Sequence, residues 1–327
     1  MNWESKKRLI VETLKNQDFL NENGLYRIVA DYMKPQYLAS ASYDSTIKIW
    51  NLENGECVRT LEGHKSNTLS VTPDGLLCSG SDNDTIKILD LNKPKGEECI
   101  KTIKADQYVV SSLAVTPDGF LCSGGNDTTI KIWNLKTGEL LHTLEGDLGY
   151  ISSLVVTPDG YLCSGSNDRT IKIWDLKKRE CIKTLEGHTD GVFSLVMTPS
   201  GKLCSKSIDR TIKIWDLNKP EGEECIKTLE DRHQYPLRSL AVTPDGLLCS
   251  GSYDKTIKIW DLNKPEGEEC IKTLNCKELV YTLAVTQNGY LCSGSNDRTI
   301  KIWDLKKREC IKTLEGHILT VVALALI

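Results

Sequence analysis

Polar and apolar residues alternate in short runs along most of this chain. The clearest run, Thr-Ile-Lys-Ile-Trp, occurs at residues 46–50, 129–133, 170–174, 211–215, 256–260 and 299–303, and a copy that ends in Leu occurs at 85–89. Alternation with a period of two, combined with β-branched residues, predicts a β-strand. The chain is therefore expected to fold as a repeated set of short strands.

One repeating unit spans residues 154–185 and contains four such runs. Leu-Val-Val-Thr is followed by a Pro-Asp-Gly turn and Tyr-Leu-Cys-Ser-Gly-Ser, and after an Asn-Asp turn come Thr-Ile-Lys-Ile-Trp and Cys-Ile-Lys-Thr-Leu. Pro, Asp, Asn and Gly are turn formers, so they separate the four strands. Because apolar residues occur on both strand faces, we expect the sheets to stack on one another, with no strand half exposed to solvent.

The spacing of these units points to a family. The Trp position falls at residues 50, 89, 133, 174, 215, 260 and 303, which is one copy every 39 to 45 residues, and most copies continue as Trp-Asp or Trp-Asn. A period in the low forties with this pair is typical of a propeller blade. Residues 37–327 resemble the WD-repeat (WD40) β-propellers. The resemblance implies an all-β, seven-bladed ring of four-stranded antiparallel blades and a role in binding other proteins.

The resemblance also implies a hydrogen-bonded tetrad in each blade, made of a His, a Ser, the turn Asp and the Trp. His188 precedes the unit that contains Ser205, Asp209 and Trp215. We expect His233 to serve the following unit. In other units Asp106 and Asp147 are expected to replace the His, and the unit after His64 has Asn83 and Leu89, so its tetrad is expected to be broken.

The placement of the last histidine predicts how the ring closes. His317 is followed only by residues 318–327, which contain no turn and no Trp, whereas the first unit has Ser40, Asp44 and Trp50 but no His before it. We therefore expect residues 318–327 to form the innermost strand of the first blade, which would also remove two open sheet edges.

Residues 1–36 do not follow the repeat. Apolar residues there recur at helical spacing, which predicts a helical extension before the propeller of residues 37–327. Residues 25–35 resemble the first helix of an F-box, although the opening Leu-Pro of that motif is absent. This resemblance implies an alternative function as a substrate receptor of a ubiquitin ligase; otherwise the extension is a cap on the propeller.

Composition narrows the possible partners. The formal net charge of −4 gives no basic field for nucleic acid, and no apolar run is long enough to span a membrane. The thirteen cysteines include no Cys-x-x-Cys pair, and twelve fall in two repeated slots, where we expect small buried apolar residues. No metal and no cofactor are expected. Free thiols in this number predict a cytoplasmic or nuclear protein rather than a secreted one, and we expect a monomer.

The Ser-His-Asp set of Ser205, His188 and Asp209 also suggests a hydrolase. A nucleophilic serine, however, needs exposure, a base within reach and an oxyanion hole. The same residue types recur in other units as scaffolding, and phosphate-binding glycine loops are absent from the sequence. We therefore expect no catalytic residues and no enzymatic activity.

Comparison of the repeats with one another suggests where a partner binds. In this family two positions in each unit line the top face around the central channel. In units two to four these positions are mostly polar, whereas in units five, six, seven and one they carry larger side chains. We call this set the top-face arc: Tyr43, Phe193, Ile208, Arg238, Tyr253 and Tyr281. Exposed aromatic residues with an Arg are typical of binding hot spots, so we expect the arc to bind a peptide or loop of a partner protein. The other interpretation is that these side chains only line the channel or pack on residues 1–36.

Overall fold

The computed structural model describes residues 36–105, 107–230, 233 and 237–327. The predicted N-terminal helical extension and the F-box-like segment fall on residues 1–35, which lie outside this range. The described residues form 28 strands. The strands are β1 (Tyr37–Ser42), β2 (Thr46–Asn51), β3 (Cys57–Glu62), β4 (Ser66–Val71), β5 (Leu77–Ser81), β6 (Thr85–Leu89), β7 (Cys99–Lys104), β8 (Val110–Val115), β9 (Phe120–Gly125), β10 (Ile130–Asn134), β11 (Leu140–Leu144), β12 (Ile151–Val156), β13 (Leu162–Ser166), β14 (Ile171–Asp175), β15 (Glu180–Leu185), β16 (Val192–Met197), β17 (Leu203–Ser207), β18 (Thr211–Trp215), β19 (Cys225–Glu230), β20 (Leu237–Val242), β21 (Leu248–Ser252), β22 (Thr256–Trp260), β23 (Cys270–Asn275), β24 (Val280–Val285), β25 (Leu291–Ser295), β26 (Ile300–Asp304), β27 (Glu309–Leu314) and β28 (Val321–Leu326).

These strands make seven antiparallel four-stranded sheets, which confirms the predicted seven-bladed propeller. Blade 1 has the strand order β28-β1-β2-β3, and blades 2 to 7 each use four consecutive strands, from β4–β7 to β24–β27. The innermost strands of successive blades contact one another around the whole ring, from β4·β8 to β28·β4. The predicted closure by the C-terminal strand is confirmed, because β28 pairs with β1 in a register that places Leu324 opposite Ser40.

The hydrophobic core lies between neighbouring blades. Ile130 and Ile132 on the third strand of blade 3 pack with Ile151 and Trp174 of blade 4, and all four are buried. Equivalent clusters fill the other blade interfaces. The second strands are buried along their whole length except for the first residue of β1 and of β9, Tyr37 and Phe120. A Cβ on Gly165 would lie 2.9 Å from Val192 Cγ1 of the next blade, so a side chain there would displace Val192, although the equivalent positions of blades 1 and 5 hold Ala41 and Lys206.

The prediction that no strand is half exposed is wrong for the outermost strands. In β15 Leu185 is buried while Cys181 and Ile182 are exposed. The outermost strand has no further strand on its outer edge, so only part of its side chains can reach the core. The same finding corrects the prediction that both cysteine series are buried. The thiols of the second strands are buried, whereas those of the outermost strands are exposed at Cys57, Cys99, Cys181, Cys225 and Cys310.

The topology also separates two ends of the ring. In each antiparallel blade the turn between the second and third strands lies at the same end as the loop that leads to the next blade, and we call this end the top face. The turns between the first and second strands and between the third and fourth strands lie at the opposite end, the bottom face.

Candidate functional site

The tetrad of blade 5 joins a loop, a turn and two strands of the top half of the blade. His188 Nε2 lies 2.7 Å from Ser205 Oγ, and His188 Nδ1 lies 2.7 Å from Asp209 Oδ2. Trp215 Nε1 donates to the same Ser205 oxygen at 2.7 Å. With Asp209 as an acceptor, Nδ1 carries the ring proton and Nε2 accepts from the serine hydroxyl, so every buried polar atom of the set has a partner.

The protonation states follow from burial and hydrogen bonding. Burial lowers the pKa of His188, against the opposing effect of Asp209. For Asp209 burial acts to raise the pKa, but hydrogen bonds from Thr211, the Thr189 amide and His188 outweigh it and lower the pKa to about 2. The tetrad is therefore a neutral imidazole on a carboxylate near neutral pH.

The closing blade contains the same tetrad, built from both ends of the described chain. His317 Nδ1 lies 2.9 Å from Asp44 Oδ2, and its Nε2 lies 2.7 Å from Ser40 Oγ. Trp50 Nε1 donates to Ser40 Oγ at 2.8 Å. Blade 6 has the corresponding bonds from His233, which lies 2.8 Å from Asp254 and 2.9 Å from Ser250.

Blades 3, 4 and 7 lack the histidine, and in blades 3 and 4 another polar side chain bonds to the serine. In blade 3 Gln107 takes this position, since Ser123 Oγ donates to Gln107 Oε1 at 2.6 Å and Gln107 Nε2 donates to the carbonyl of Thr129. Asp106 lies outside the described residues. In blade 4 Asp147 takes the slot and accepts from Ser164 Oγ at 3.1 Å, while its other carboxyl oxygen has no hydrogen-bond partner in the described structure.

Blade 2 has a broken tetrad. Leu89 replaces the Trp, and His64 Nε2 bonds to the carbonyl oxygen of Ser79 at 3.1 Å. The hydroxyl of Ser79 and the Nδ1 of His64 are left without described partners. A cavity of about 480 Å³ lies beside His64 and Leu89. The substitution therefore leaves both an unfilled volume and unpaired polar atoms.

The Ser-His-Asp set of blade 5 has a structural role. Ser205 has no exposed surface, and its oxygen already accepts the Trp215 N–H. Such a serine offers no approach to a substrate carbonyl. No group of three or more His, Cys, Asp or Glu side chains within the described ranges is arranged to hold a metal ion. In the same part of the chain, no helix has the length and hydrophobicity needed to cross a bilayer.

The top-face arc surrounds one side of the channel mouth. A cavity of about 400 Å³ at this mouth is lined by four of its members, Tyr43, Phe193, Arg238 and Tyr281. Tyr43 is 41% exposed and Ile208 is 44% exposed. The opposite wall of the cavity carries the polar residues Asn67, Ser111, Asn126, Ser152 and Asn167, together with Val109, Tyr150 and Ile151.

Three members of the arc form one contact cluster. The rings of Tyr253 and Tyr281 lie 4.9 Å apart between centroids at 52°. Arg238 Cζ lies 5.2 Å from the Tyr253 ring centroid and 5.8 Å from that of Tyr281, within the range of cation–π attraction. Arg238 Nε also donates to Tyr253 Oη at 2.5 Å. The guanidinium is thus held in place by both rings.

The remaining members are less tightly connected. Burial is the main cause that raises the pKa of Tyr281 to about 12, helped by the hydroxyls of Tyr253 and Tyr43, so this phenol stays neutral at physiological pH. Lys65 Nζ lies 5.8 Å from the Tyr43 ring centroid. Ile208 does not line the mouth cavity; its amide bonds to the Gly191 carbonyl and its side chain is exposed.

The sequence comparison missed other exposed apolar residues on the top face. Leu148 is 89% exposed and Tyr108 is 78% exposed, and Ile318 and Leu319 are also exposed. They lie in the loops between blades, which vary in length, so no repeat position could be assigned to them from the sequence. Their only signal was an apolar side chain in an otherwise polar loop.

Comparison with known proteins agrees with this architecture. The profile of the WD domain, G-beta repeat, matches residues 33–51, 55–90, 97–134, 138–175, 179–216, 223–261 and 268–304, which is more than half of the chain. A stretch of 61 residues is 44% identical to the nuclear distribution protein PAC1 of Coccidioides posadasii, covering 18% of this chain and 13% of that protein. Another match, 41% identical over 61 residues, is to the small ribosomal subunit protein RACK1y of Oryza sativa, covering 18% of each chain.

A third match, 42% identical over 57 residues, is to the target of rapamycin complex subunit LST8-1 of Arabidopsis thaliana, and it covers 17% of this chain and 19% of that protein. The matching stretches thus span less than a fifth of each of these relatives. Proteins of this repeat type are generally non-catalytic protein-interaction scaffolds. The seven matched repeats and the seven blades show that the chain belongs to the WD40 repeat family.

Proposed function

We propose that this protein is a non-catalytic scaffold that binds a peptide or loop of a partner protein across the top-face arc. The observation that carries the proposal is the cluster of Arg238, Tyr253 and Tyr281 beside the channel mouth. Aromatic side chains with an arginine supply much of the binding energy of protein interfaces when they are buried by a partner. Here they are already in mutual contact, so little side-chain entropy is lost on binding.

The chemistry of the cluster favours an acidic or carboxylate-bearing partner segment. Within the described residues, no carboxylate forms an ion pair with Arg238. Its Nε is engaged with Tyr253, while its terminal nitrogens carry the further N–H groups of the guanidinium. A carboxylate that accepts from these groups would rest against two aromatic rings, where a charge-assisted hydrogen bond is about twice as strong as a neutral one.

The two walls of the channel mouth differ in their side chains, and this difference supports the top-face arc as the binding surface. Phe193, Tyr43 and Tyr281 line one wall, while Ser111 and Ser152 belong to the other. An extended segment would bury its apolar side chains on the first wall and leave the second wall to solvent or to backbone hydrogen bonds. This arrangement fits one peptide or loop better than a symmetric ligand on the channel axis.

Affinity capture from a cell extract tests the proposal when it compares wild type with Tyr253→Ala/Tyr281→Ala. We expect the double variant to lose a specific partner protein, with a melting temperature unchanged within about 2 °C. Ser111→Ala/Ser152→Ala on the opposite wall is the matched control and should retain that partner. Equal loss in both double variants, or retention in both, would contradict the arc as the binding surface. Retention of the partner by the arc variant and its loss on deletion of residues 1–36 would instead favour the ubiquitin-ligase alternative.

A further inference from the structure

A basic side chain connects neighbouring blades at six of the seven interfaces of the described ring. It lies in the outermost strand of one blade and donates to backbone carbonyls in the turn between the third and fourth strands of the next, at 2.6 to 3.2 Å. We call these side chains the interblade latches: Arg59, Lys101, Lys183, Lys227, Lys272 and Lys312. Each latch places a cation against carbonyl oxygens that the turn itself does not use.

The seventh interface, between blades 3 and 4, has no latch. His142 occupies the slot, since it pairs with Ile132 in the same register in which Lys183 pairs with Ile173. No hydrogen bond joins the His142 side chain to the facing turn of blade 4 among the described residues. Instead, a cavity of about 580 Å³ lies between them, and both His142 and that turn line it.

The acceptors that a latch would use are present at this cavity. Leu176 lines it and holds the same place in blade 4 as Leu217 in blade 5, whose carbonyl accepts from Lys183 at 3.2 Å. The equivalent carbonyl of Leu52 in blade 1 accepts from Lys312 at 3.0 Å. No donor within the described ranges reaches the Leu176 carbonyl.

The walls of the cavity suit a lysine side chain. Phe120, Ile132 and Leu141 provide apolar surface for an aliphatic stem, and an aromatic face attracts an ammonium group. The charged lining residues are Asp118, Asp159, Asp175, Lys177 and Arg179. Their formal charges leave one excess negative charge, so a cation is favoured over an anion.

We propose that the cavity between blades 3 and 4 binds the ammonium group of a lysine side chain of a partner protein. The lysine takes the position that a latch side chain of the ring itself takes at the other interfaces. Its Nζ donates to the Leu176 carbonyl, and its stem lies along Phe120. The six latches act as internal examples of the ligand, because they show the geometry in which this turn accepts a cation.

This site is independent of the top-face arc. It is lined by the turn after β8 and the turn after β14, which lie on the bottom face, whereas the arc lies on the top face. One partner could therefore bind at each end of the ring. Failure of one proposal leaves the other intact.

Nuclear magnetic resonance on the ¹⁵N-labelled protein tests the proposal with the peptide acetyl-Gly-Lys-Gly-amide. We expect saturable shifts of the Leu176 and Lys177 amides. The norleucine peptide, which keeps the stem but lacks the charge, should bind at least about tenfold more weakly, since a hydrogen bond to a charged group contributes about 1.5–3 kcal/mol. Equal binding of both peptides, or shifts confined to the channel mouth, would overturn the proposal.

Two variants separate binding from folding. His142→Lys should supply the missing latch from within the chain, so it should abolish the Leu176 shift while the melting temperature stays equal or rises. Lys312→His should open the equivalent position between blades 7 and 1 and give a new lysine-dependent shift at Leu52. If His142→Lys binds the peptide as wild type does, or if neither variant changes the shifts as described, the cavity is not a lysine site.

Discussion

His317 and Ser40 lie 277 positions apart in the sequence, yet His317 Nε2 is 2.7 Å from Ser40 Oγ in the buried centre of blade 1. The same histidine bonds to Asp44 at 2.9 Å. The polar tetrad therefore spans the seam of the ring in the same blade in which β28 pairs with β1.

Removal of residues 318–327 should open this seam. The truncated chain loses β28, whose Val321 is fully buried, and exposes the edge of β1 and the side of β24 that β28 packs against. We expect a lower melting temperature and concentration-dependent aggregation, because open strand edges pair with other chains. Light scattering during a thermal ramp measures both effects. A synthetic peptide of residues 318–327 should restore the transition, whereas a scrambled peptide should not; an unchanged melting temperature after truncation would show that the strand is not needed for closure.

Asp147→His should stabilise blade 4. Burial is the main cause that raises the pKa of Asp147 to about 7, so folding favours its protonated form and the wild type loses stability as the pH rises from about 4 to 7. A histidine can accept from Ser164 and donate to Asp168, as His188 does in blade 5. We expect a gain of about 1–3 kcal/mol in the free energy of unfolding at pH 7, from denaturant titration.

The gain should be smaller at pH 5 for two reasons. At pH 5 the wild-type fold is destabilised less by Asp147, because the pH is then closer to the ordinary pKa of this carboxyl, 3.8, in the unfolded chain. The introduced histidine, if its pKa is lowered by burial as that of His188 is, gives stability that is complete above about 6.5 and is lost as the pH falls. The reverse variant His188→Asp in blade 5 is the matched control and should destabilise at pH 7. A gain at pH 5 equal to that at pH 7 would contradict this account.

Leu89→Trp should supply the missing Trp of the blade 2 tetrad and raise the free energy of unfolding. The indole would enter the cavity of about 480 Å³ and its N–H would reach the unpaired Ser79 hydroxyl. Space is available, since nothing lies within 4 Å of a Cβ built on Gly63, whereas the equivalent atom on Gly187 lies 3.6 Å from Trp215. We expect stabilisation of about 1–2 kcal/mol by denaturant titration. Leu89→Phe fills the cavity without the N–H and should give less; equal gains would mean that the hydrogen bond adds nothing.

The interblade latches should contribute different amounts to the free energy of unfolding, depending on the groups that each one contacts. Lys183 Nζ contacts two carbonyls and lies 3.0 Å from the buried Glu224 carboxylate, whereas Lys272 donates to the Leu305 carbonyl alone. Lys183→Met should cost about 2–3 kcal/mol because it leaves a buried charge unpaired, against about 1 kcal/mol for Lys272→Met. Adding Glu224→Gln should recover part of the first loss. If the two Met variants lose the same stability, the carboxylate does not contribute.

Much of the fold could be predicted because the determinants are local and repeated. The Trp spacing gives the blade count, and the position of His317 relative to Trp50 predicts the closing strand without any structure. The tetrads follow a fixed interval from His to Asp, so the pairing of His188 with Asp209 could be expected as well. Repetition averages out the local ambiguity that usually limits such predictions.

The features that the sequence did not predict lie in the outermost strands, in the loops between blades and in the contacts between side chains. The alternation in β15 does not reveal that its outer edge faces solvent, so the exposure of Cys181 and Ile182 was missed. Gln107 fills the tetrad of blade 3 although Asp106 stands at the same sequence interval before Ser123 as His188 does before Ser205, so the interval alone did not identify it. The arc residues could be placed on one side from repeat comparison, but the stacking of Arg238 on Tyr253 and Tyr281 required side-chain positions. His142 carried a visible signal as the one departure from a basic residue in its slot.

The pairing of β28 with β1 also determines when blade 1 can be completed during translation. β1 is the first and β28 the last of the described strands, so blade 1 stays incomplete until residue 326 has been synthesised. At 5–20 residues per second this delay is on the order of tens of seconds. Blades 2 to 7 can form as they leave the ribosome, while β1, which pairs with β2 on one side, keeps its other edge open. Until β28 is made, this open edge is available to pair with another chain.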